Sequence, residues 1–228
     1  MGVQIDTIKL GVGNSYVIRD KGVIVVDCGD TKKIKKFIVE LEKIPLKPDV
    51  IKLIVITHGH FDHIGTASEI KKLTGAKLAM HEKDKECLEK GLMPLPAGFN
   101  LWGTVMLGMM RVFMTPFRTI PPASVDIVLD DSEFPLADYG IAGKVIHTPG
   151  HSAGSVSVLL ETGDVFVGDL AMNEFPLRLG PGLPSFGDSM ETIKSSWALL
   201  LEKGAKMVYP AHGNPFPVDV IEKALGEG

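Results

Sequence analysis

Short apolar runs alternate with amphipathic stretches along this chain, and their spacing predicts most of its secondary structure. Apolar runs at residues 16–18 and 23–26 flank the turn-forming residues 20–22, which predicts a β-hairpin. From residue 31 to residue 41, apolar side chains recur at helical spacing with lysines opposite, which predicts an amphipathic helix. The apolar run at 50–56 then predicts a buried strand.

The same alternation of strands and helices continues towards the end of the chain. Further helices are predicted at about 63–73, 83–90 and 190–203, and further strands at 77–80, 144–147, 155–160, 164–167 and 207–209. Interleaved strands and helices are typical of a sandwich of two sheets with helices on both outer faces, and also of a doubly wound sheet. With 228 residues and neither an internal repeat nor a low-complexity linker, we expect one domain over residues 1–228.

Composition excludes several classes of protein. The chain is 45% hydrophobic and 23% charged, which is ordinary for a globular protein and excludes disorder. Its formal net charge of −4 provides no basic field, so no nucleic-acid partner is expected. Cys28 and Cys87 are not placed like two halves of a disulfide, and the N-terminus lacks the layout of a secretory signal. We therefore expect a cytoplasmic protein with free thiols.

Four strong metal-binding side chains are concentrated in six residues, directly after a predicted buried strand. They are His58, His60, Asp62 and His63. His58 and His60 can converge on one ion, whereas Asp62 and His63 open a helix and point elsewhere, which suits a second ion nearby. The alternative is a polar loop whose histidines are capped by backbone groups, but buried polar clusters without partners are destabilising.

Three more candidate ligands stand at the ends of later predicted strands. His151, Asp169 and His212 each follow an apolar run, and each has a glycine neighbour. Loops at strand ends can meet on one rigid rim, so these residues would complete two coordination shells. The two remaining histidines, His81 and His147, are expected to orient the ligands or, alternatively, to contact substrate.

The order of these residues resembles the metallo-β-lactamase-fold hydrolase superfamily, in particular its glyoxalase II-like and lactonase-like branch. The resemblance covers almost the whole chain and implies an αββα sandwich of two mixed β-sheets flanked by helices. It also implies two divalent ions at one edge, zinc first, with iron or manganese as alternatives, and a hydrogen-bonding position for Asp27 beside them. The implied ligands are His58, His60 and His151 on the first ion, Asp62, His63 and His212 on the second, and Asp169 as the bridge.

The resemblance implies a hydrolase in which a metal-bridging hydroxide attacks a small-molecule substrate, either an ester, a thioester or a lactone, with Asp62 or Asp169 moving a proton. Differences between this sequence and individual branches of the superfamily reduce the number of candidate functions. Class B β-lactamases lack an aspartate at the position of Asp169, and lactonases have a tyrosine shortly after it that residues 170–172 do not provide. Glyoxalase II enzymes have a helical C-terminal extension, whereas sixteen residues follow His212. A mononuclear iron persulfide dioxygenase, a phosphodiesterase and a non-catalytic binding protein are the remaining alternatives.

An apolar insertion at about 92–120 interrupts the pattern, and residues 92–110 contain no charge. Five of the ten methionines lie in it: Met93, Met106, Met109, Met110 and Met114. Prolines and glycines divide the segment, so we expect no transmembrane span. A helix at about 100–114 would be apolar nearly all round and must be covered. The body of the protein, a homodimer partner, a membrane surface or an apolar substrate could cover it. We expect either a core or homodimer contact, or a lid, with Met106 and Met109, over an apolar substrate.

Overall fold

Two six-stranded β-sheets face each other in the part of the chain that the computed structural model describes, residues 2–113, 119–178 and 182–226. The first sheet has the order β1 (Gln4–Lys9), β2 (Asn14–Arg19), β3 (Val23–Val26), β4 (Ile51–Val55), β5 (Lys77–His81) and β7 (Ile127–Leu129). The second comprises β8 (Phe134–Pro135), β9 (Gly143–His147), β10 (Val156–Leu160), β11 (Asp164–Gly168), β13 (Met207–Pro210) and β14 (Phe216–Pro217), in the order β14-β13-β11-β10-β9-β8. Two short strands, β6 (Ala97–Gly98) and β12 (Phe186–Gly187), form a separate pair.

Helices cover the outer face of each sheet. The helices of the described ranges are α1 (Ile34–Lys43), α2 (Phe61–Ile64), α3 (Ala67–Thr74), α4 (Lys85–Glu89), α5 (Leu101–Phe113), α6 (Met190–Glu202) and α7 (Asp219–Gly226), with short 3₁₀ helices at Pro48–Val50 and Ala137–Tyr139. Buried residues of α1, α3 and α4 share one hydrophobic cluster with the first sheet. Buried residues of α6 and α7 share another with the second sheet. A third cluster lies between the two sheets.

Strand β3 shows why a continuously apolar run forms a central strand here. Val23 and Val25 pack towards the outer helices, whereas Ile24 and Val26 pack between the sheets. Because successive side chains of a strand point to opposite faces, a strand that is covered on both sides must be apolar at every position. The four layers confirm the expected αββα sandwich and exclude a single doubly wound sheet.

Several elements differ from the sequence-based expectation: one predicted helix is divided, and α7, β1 and the short strands β6, β7, β8, β12 and β14 were not predicted. The helix predicted at 63–73 is divided into α2 and α3 at Gly65, where a Cβ atom would lie 2.4 Å from the backbone nitrogen of Thr31. The chain therefore approaches a neighbouring loop too closely there for any larger residue. Strand β1 was not predicted, because it is an edge strand in which only Ile8 is buried and the alternation is weak.

The apolar insertion contains α5 and β6. Gly103 of α5 packs so closely that a Cβ atom would lie 2.3 Å from the carbonyl oxygen of Ser185. Residues 114–118, including the predicted helix end at Met114, lie outside the described part. Among the helices that are described, none is long and apolar enough to cross a membrane.

Both cysteines are free, as expected. Burial raises the pKa of Cys28 well above its usual value and raises the pKa of Cys87 to about 11. Both thiols therefore stay protonated near neutral pH, which suits neither a nucleophile nor a metal ligand.

Candidate metal centre

Four loops that carry predicted ligands meet at one edge of the two sheets. The loop after β4 carries His58 and His60, and the loops after β9, β11 and β13 carry His151, Asp169 and His212. β3, β4 and β5 are parallel, so their carboxyl ends lie at the same edge. All of the predicted ligands are buried, none being more than 8% exposed.

Three imidazole nitrogens converge in the first group, which comprises His58, His60, His151 and Asp169. His60 Nδ1 lies 3.0 Å from His58 Nε2 and 2.9 Å from His151 Nε2. Burial lowers the pKa of His60, lowers the pKa of His58 well below its usual value and lowers the pKa of His151 to about 3. The three rings are therefore neutral near pH 7, and neutral imidazole is the form that binds a metal.

The outer nitrogens of two of these rings face protein oxygens. His151 Nδ1 lies 3.2 Å from the carbonyl oxygen of Phe186. Because a carbonyl only accepts, Nδ1 carries the proton and Nε2 presents its lone pair to the group. His58 Nδ1 lies 3.1 Å from Thr57 Oγ1. The Phe186 contact was not predicted, since a backbone carbonyl leaves no signal in the sequence.

The second group comprises Asp62, His63 and His212, and the pKa shifts of all three side chains favour their charged forms. His212 Nε2 lies 3.2 Å from Asp62 Oδ2. Burial by itself lowers the pKa of His212, but the carboxylates of Asp169 and Asp62 outweigh it and raise the pKa to about 10. At His63, neighbouring carboxylates, Asp169 first among them, likewise outweigh burial and raise the pKa well above its usual value. Without a bound ion, both imidazoles of this group are therefore doubly protonated near pH 7.

The two carboxylate oxygens of Asp169 face different groups. Oδ2 lies 3.6 Å from His151 Nε2 and 3.9 Å from His58 Nε2 in the first group. Oδ1 lies 3.3 Å from His63 Nε2 and 3.3 Å from His212 Nε2 in the second group. One carboxylate thus stands between both groups, which is the arrangement of a bridging ligand.

The chemistry of these donors fits two divalent ions. The ligand atoms of each group lie within 4.8 Å of one another. Among the described residues, His63 Nε2 and Asp169 Oδ1 are buried without a hydrogen-bond partner, and buried polar atoms are stable only when they have one. Imidazole and carboxylate ligands suit zinc, iron and manganese alike. The residues present therefore fit the ions that the sequence predicts.

Asp27 lies directly behind the second group. Its carboxylate accepts hydrogen bonds from the backbone N–H of Thr57 at 2.8 Å and from the Thr57 hydroxyl at 2.7 Å. Asp27 Oδ2 also lies 2.8 Å from His63 Nδ1, which turns Nε2 of that ring towards the group. The structure thus places Asp27 in the hydrogen-bonding position that the sequence resemblance implies.

Asp84, which the sequence did not single out, connects the two loops of the first group. Its Oδ2 accepts hydrogen bonds from the Gly59 N–H at 2.9 Å and from Ser152 Oγ at 2.6 Å, and its Oδ1 accepts one from the Gly154 N–H at 3.1 Å. Gly59 stands between the first two histidines of the group, and Ser152 directly follows the third. A buried carboxylate thus fixes both loops at once.

His81 and His147 form a separate cluster with Asp131. Their rings stack with centroids 4.2 Å apart and planes 11° apart. A metal binds in the plane of an imidazole, so two parallel stacked rings cannot both direct a lone pair at one ion. Lys83 Nζ also lies 2.7 Å from the Asp131 carboxylate. Within the described ranges neither ring hydrogen-bonds to a predicted ligand. The contacts that orient ligand rings come instead from Asp27, Thr57 and the Phe186 carbonyl.

An apolar cavity of about 240 Å³ lies beside both groups. It is bordered by His60, Asp62, Asp169 and His212, and its apolar lining comprises Val12, Phe61, Pro94, Leu95, Pro96, Met106, Leu107, Met110, Leu177 and Phe186. The apolar insertion therefore forms one wall of the cavity. Met109, which the sequence grouped with Met106, is half exposed and absent from this lining.

Comparisons with known proteins agree with this architecture. The family model of the metallo-beta-lactamase superfamily matches residues 8–212. A beta-lactamase-like protein 2 homolog of Drosophila melanogaster is 28% identical over 211 residues, which cover 90% of this chain and 57% of that protein. A probable metallo-hydrolase of Methanocaldococcus jannaschii is 28% identical over 204 residues, covering 88% and 87%. The chain thus spans little more than half of the Drosophila relative and most of the archaeal one.

A third relative and two solved structures are also similar. The hydroxyacylglutathione hydrolase GloC of Haemophilus influenzae is 27% identical over 186 residues, which cover 77% of each chain. The crystal structure of the BLEG-1 B3 metallo-beta-lactamase has a TM-score of 0.70 and 25% identity, covering 96% of this chain and 97% of that one. A di-iron-bound form of TTHA1623 has a TM-score of 0.67 with the same coverage, and at 22% identity it shows the fold alone.

Proposed function

The chain belongs to the metallo-β-lactamase superfamily, and from this premise we propose that it is a binuclear metal-dependent hydrolase of esters, thioesters or lactones with an apolar acyl part. The observation that carries the proposal is the position of Asp169, whose two carboxylate oxygens face different groups of predicted ligands. Besides Asp169 itself, each group provides three further predicted ligands. This number favours two ions over the single iron of a dioxygenase.

The proposal assigns every predicted ligand to an ion. His58, His60 and His151 would hold the first ion and Asp62, His63 and His212 the second, with Asp169 offering one carboxylate oxygen to each group. Two divalent ions in such a site lower the pKa of a shared water and polarise the substrate carbonyl. Zinc is the ion that we expect, with iron and manganese as alternatives, and a cytoplasmic location stays a prediction.

Proton transfer in this proposal falls to Asp62. Its carboxylate borders the cavity and lies 3.2 Å from His212 Nε2. Burial raises the pKa of Asp62, but His63 and His212 outweigh burial and hold the pKa below its usual value. The ionised carboxylate can therefore accept a proton from the nucleophile and return it to the leaving group.

The cavity lining supports an apolar acyl group. Met106, Leu107 and Met110 of α5 line the same cavity as the predicted ligands. Apolar walls exclude water from the reacting carbonyl, and flexible thioethers accommodate chains of different shape. The relative named as a hydroxyacylglutathione hydrolase supports including a thioester among the substrates.

A panel of substrates tests the proposal. The zinc-loaded chain is assayed against aryl esters, acyl thioesters and lactones, together with a phosphodiester and a β-lactam, and the chelator-treated chain is the control. We expect metal-dependent hydrolysis of at least one uncharged acyl substrate. Hydrolysis confined to the phosphodiester or the β-lactam would contradict the proposal, as would equal rates with and without metal.

A further inference from the structure

Helix α5 has two apolar sides with different surroundings. Gly103, Met106 and Leu107 are buried and turn towards the body of the protein. The opposite side is exposed, although a helix that is apolar all round is normally covered on every side. Of the thirteen large apolar residues that are exposed in the described ranges, six belong to this side: Leu101, Trp102, Val105, Met109, Val112 and Phe113. Nearly half of the exposed large apolar residues therefore lie on one helix.

The exposed side of α5 continues onto a neighbouring loop. Trp102 Nε1 donates a hydrogen bond of 3.3 Å to the carbonyl oxygen of Pro176. Phe175, which precedes this proline, is 81% exposed. We call the six exposed residues of α5 together with Phe175 the outer apolar face.

The outer apolar face presents enough surface for a stable protein interface. Its aromatic residues, Trp102, Phe113 and Phe175, are 48%, 70% and 81% exposed. Together they amount to about two whole aromatic side chains, or roughly 400 Å². The other four residues are between 47% and 80% exposed and add roughly 300 Å². Two such faces in full contact would bury about 1,400 Å² in total, whereas specific interfaces bury about 1,200–2,000 Å² and crystal contacts mostly less than about 800 Å².

Gly108 indicates what kind of partner covers this face. It is exposed, and the spacing of Leu101, Val105, Gly108 and Val112 places them on the same side of the helix. Glycine inside a helix is destabilising relative to alanine, so a packing reason is expected for it. Within the described ranges there is none, since a Cβ atom on Gly108 would have no atom of another segment within 4 Å. A glycine at this position does let the backbone of a second helix come close, because the side chains at a contact set the distance between helix axes.

We propose that the outer apolar face joins two copies of this chain in a symmetric dimer, with the two α5 helices crossing at Gly108. In an interface of this symmetry the same patch contacts itself, so an apolar face always meets an apolar face. The valines on either side of Gly108 in one copy would fill the gap at the glycine of the other. Arg111 is the only charged residue of α5, and its spacing from Thr104 places both at one edge of the face, where protein interfaces have their polar rim.

Other occupants fit the face less well. An interfacial membrane helix has a charged or polar side opposite its apolar one, whereas the opposite side of α5 is apolar and packed against the body of the protein. A different protein would be recognised through charged or polar groups, which fix the register and exclude wrong partners. The residues of the outer apolar face carry no charge. A second copy of the same face needs no such groups.

The dimer does not depend on the proposed function. Met106, Leu107 and Met110, which line the cavity, are not part of the outer apolar face. Dimer formation would remove the exposed apolar surface of α5 from water, and this gain is the same whether or not the cavity binds a substrate. The oligomeric state is measured without substrate, so it can fail independently of hydrolysis.

Gly108→Leu tests the interface at its centre. The subunit leaves room for the larger side chain and leucine favours a helix, so the variant should fold. Twofold symmetry places two leucines in the same contact, so the dissociation constant of the dimer should rise at least about 100-fold. Gly226→Leu is the matched control, because Gly226 is an exposed glycine of α7 that likewise has no atom of another described segment within 4 Å. Sedimentation velocity of the full chain over a micromolar dilution series measures the association.

A charged substitution tests the same interface without relying on close packing. Val105→Glu would bring two carboxylates into an apolar contact and should also give a monomer. Val39→Glu, at a similarly exposed position of α1, should leave the dimer intact. Circular dichroism shows whether each variant is folded, and melting temperatures are compared at a concentration at which the unmodified chain is also monomeric.

We expect the unmodified chain to sediment as a dimer and both α5 variants to sediment as folded monomers. The inference is overturned if the unmodified chain is monomeric throughout the dilution series. It is also overturned if the dimer persists in both α5 variants, since it would then form through another surface. Co-sedimentation of a monomeric chain with phosphatidylcholine vesicles would overturn it as well, because lipid would then cover the face.

Discussion

Ser152 and Asp84 are 68 positions apart in the chain, yet Ser152 Oγ donates a hydrogen bond of 2.6 Å to Asp84 Oδ2. The Gly59 N–H donates a hydrogen bond to the same oxygen. Because Ser152 directly follows His151 and Gly59 lies between His58 and His60, the two bonds fix one ligand loop relative to the other. The geometry of the first group therefore depends on a carboxylate that is not itself one of the predicted ligands.

Replacing this carboxylate by an amide should loosen the first group. In Asp84→Asn one oxygen becomes an NH₂ donor facing donors, so at least one of the three hydrogen bonds is lost. We expect retained metal and kcat to fall by about 10–100-fold, with a smaller change in KM. Metal retention against a chelator measures the effect, and Asp138→Asn at an exposed position is the control. Unchanged retention in Asp84→Asn would contradict the positioning role.

The same substitution should affect activity differently on the cavity-lining side and on the exposed side of α5. Met106→Gln places an amide in the cavity and should lower kcat/KM for a long-chain soluble ester by about tenfold, with little effect on an acetyl ester. Met109→Gln, on the exposed side, should change neither. Equal losses for both esters in Met106→Gln would show that the helix supports the fold and does not select the chain.

Removal of the Asp62 carboxylate should stop turnover and spare the fold. Asp62→Ala loses a ligand of the second ion and the proton carrier, so we expect hydrolysis to fall by at least about 10²-fold. The melting temperature and the circular dichroism spectrum should stay close to those of the unmodified chain. Activity retained within a few fold would exclude the proposed role of Asp62.

Metal binding should release protons from the second group only. The pKa of His212 is raised to about 10 and that of His63 well above its usual value, so near pH 8 each ring must lose a proton before it can bind an ion. Rings of the first group have lowered pKa values and are already neutral. Affinity of the second group should therefore rise with pH up to about pH 10.

Calorimetric zinc titrations in buffers of different ionisation enthalpy measure this difference. We expect one equivalent that binds without proton release and one that releases about two protons. Equal proton release for both equivalents would contradict the assigned protonation states.

Local sequence patterns predicted the central strands and the ligand clusters because each depends on neighbouring residues. β3 is apolar on both faces, and four ligands of the two groups lie within residues 58–63. In such cases the burial of a strand and the spacing of the ligands can both be predicted from neighbouring residues in the sequence.

The features that were missed depend on residues distant in the sequence. Asp84 accepts hydrogen bonds from Gly59 and Gly154, at separations of 25 and 70 positions, and no local spacing marks such a contact. α5 is apolar nearly all round, so its periodicity could not show that Met110 lines the cavity while Met109 is exposed. The side that turns inward is set by tertiary packing, of Gly103 against Ser185 and of Met106 and Leu107 against Met172 and Phe186.

The number of metal ions required for hydrolysis tests the central claim most directly. Metal-free protein is titrated with zinc, and bound metal and ester hydrolysis are measured on the same samples. The position of Asp169 between two groups predicts that binding saturates at two equivalents per chain and that full activity requires both. A single equivalent of iron that saturates the site, together with oxygen consumption in the presence of glutathione persulfide and no hydrolysis, would contradict it.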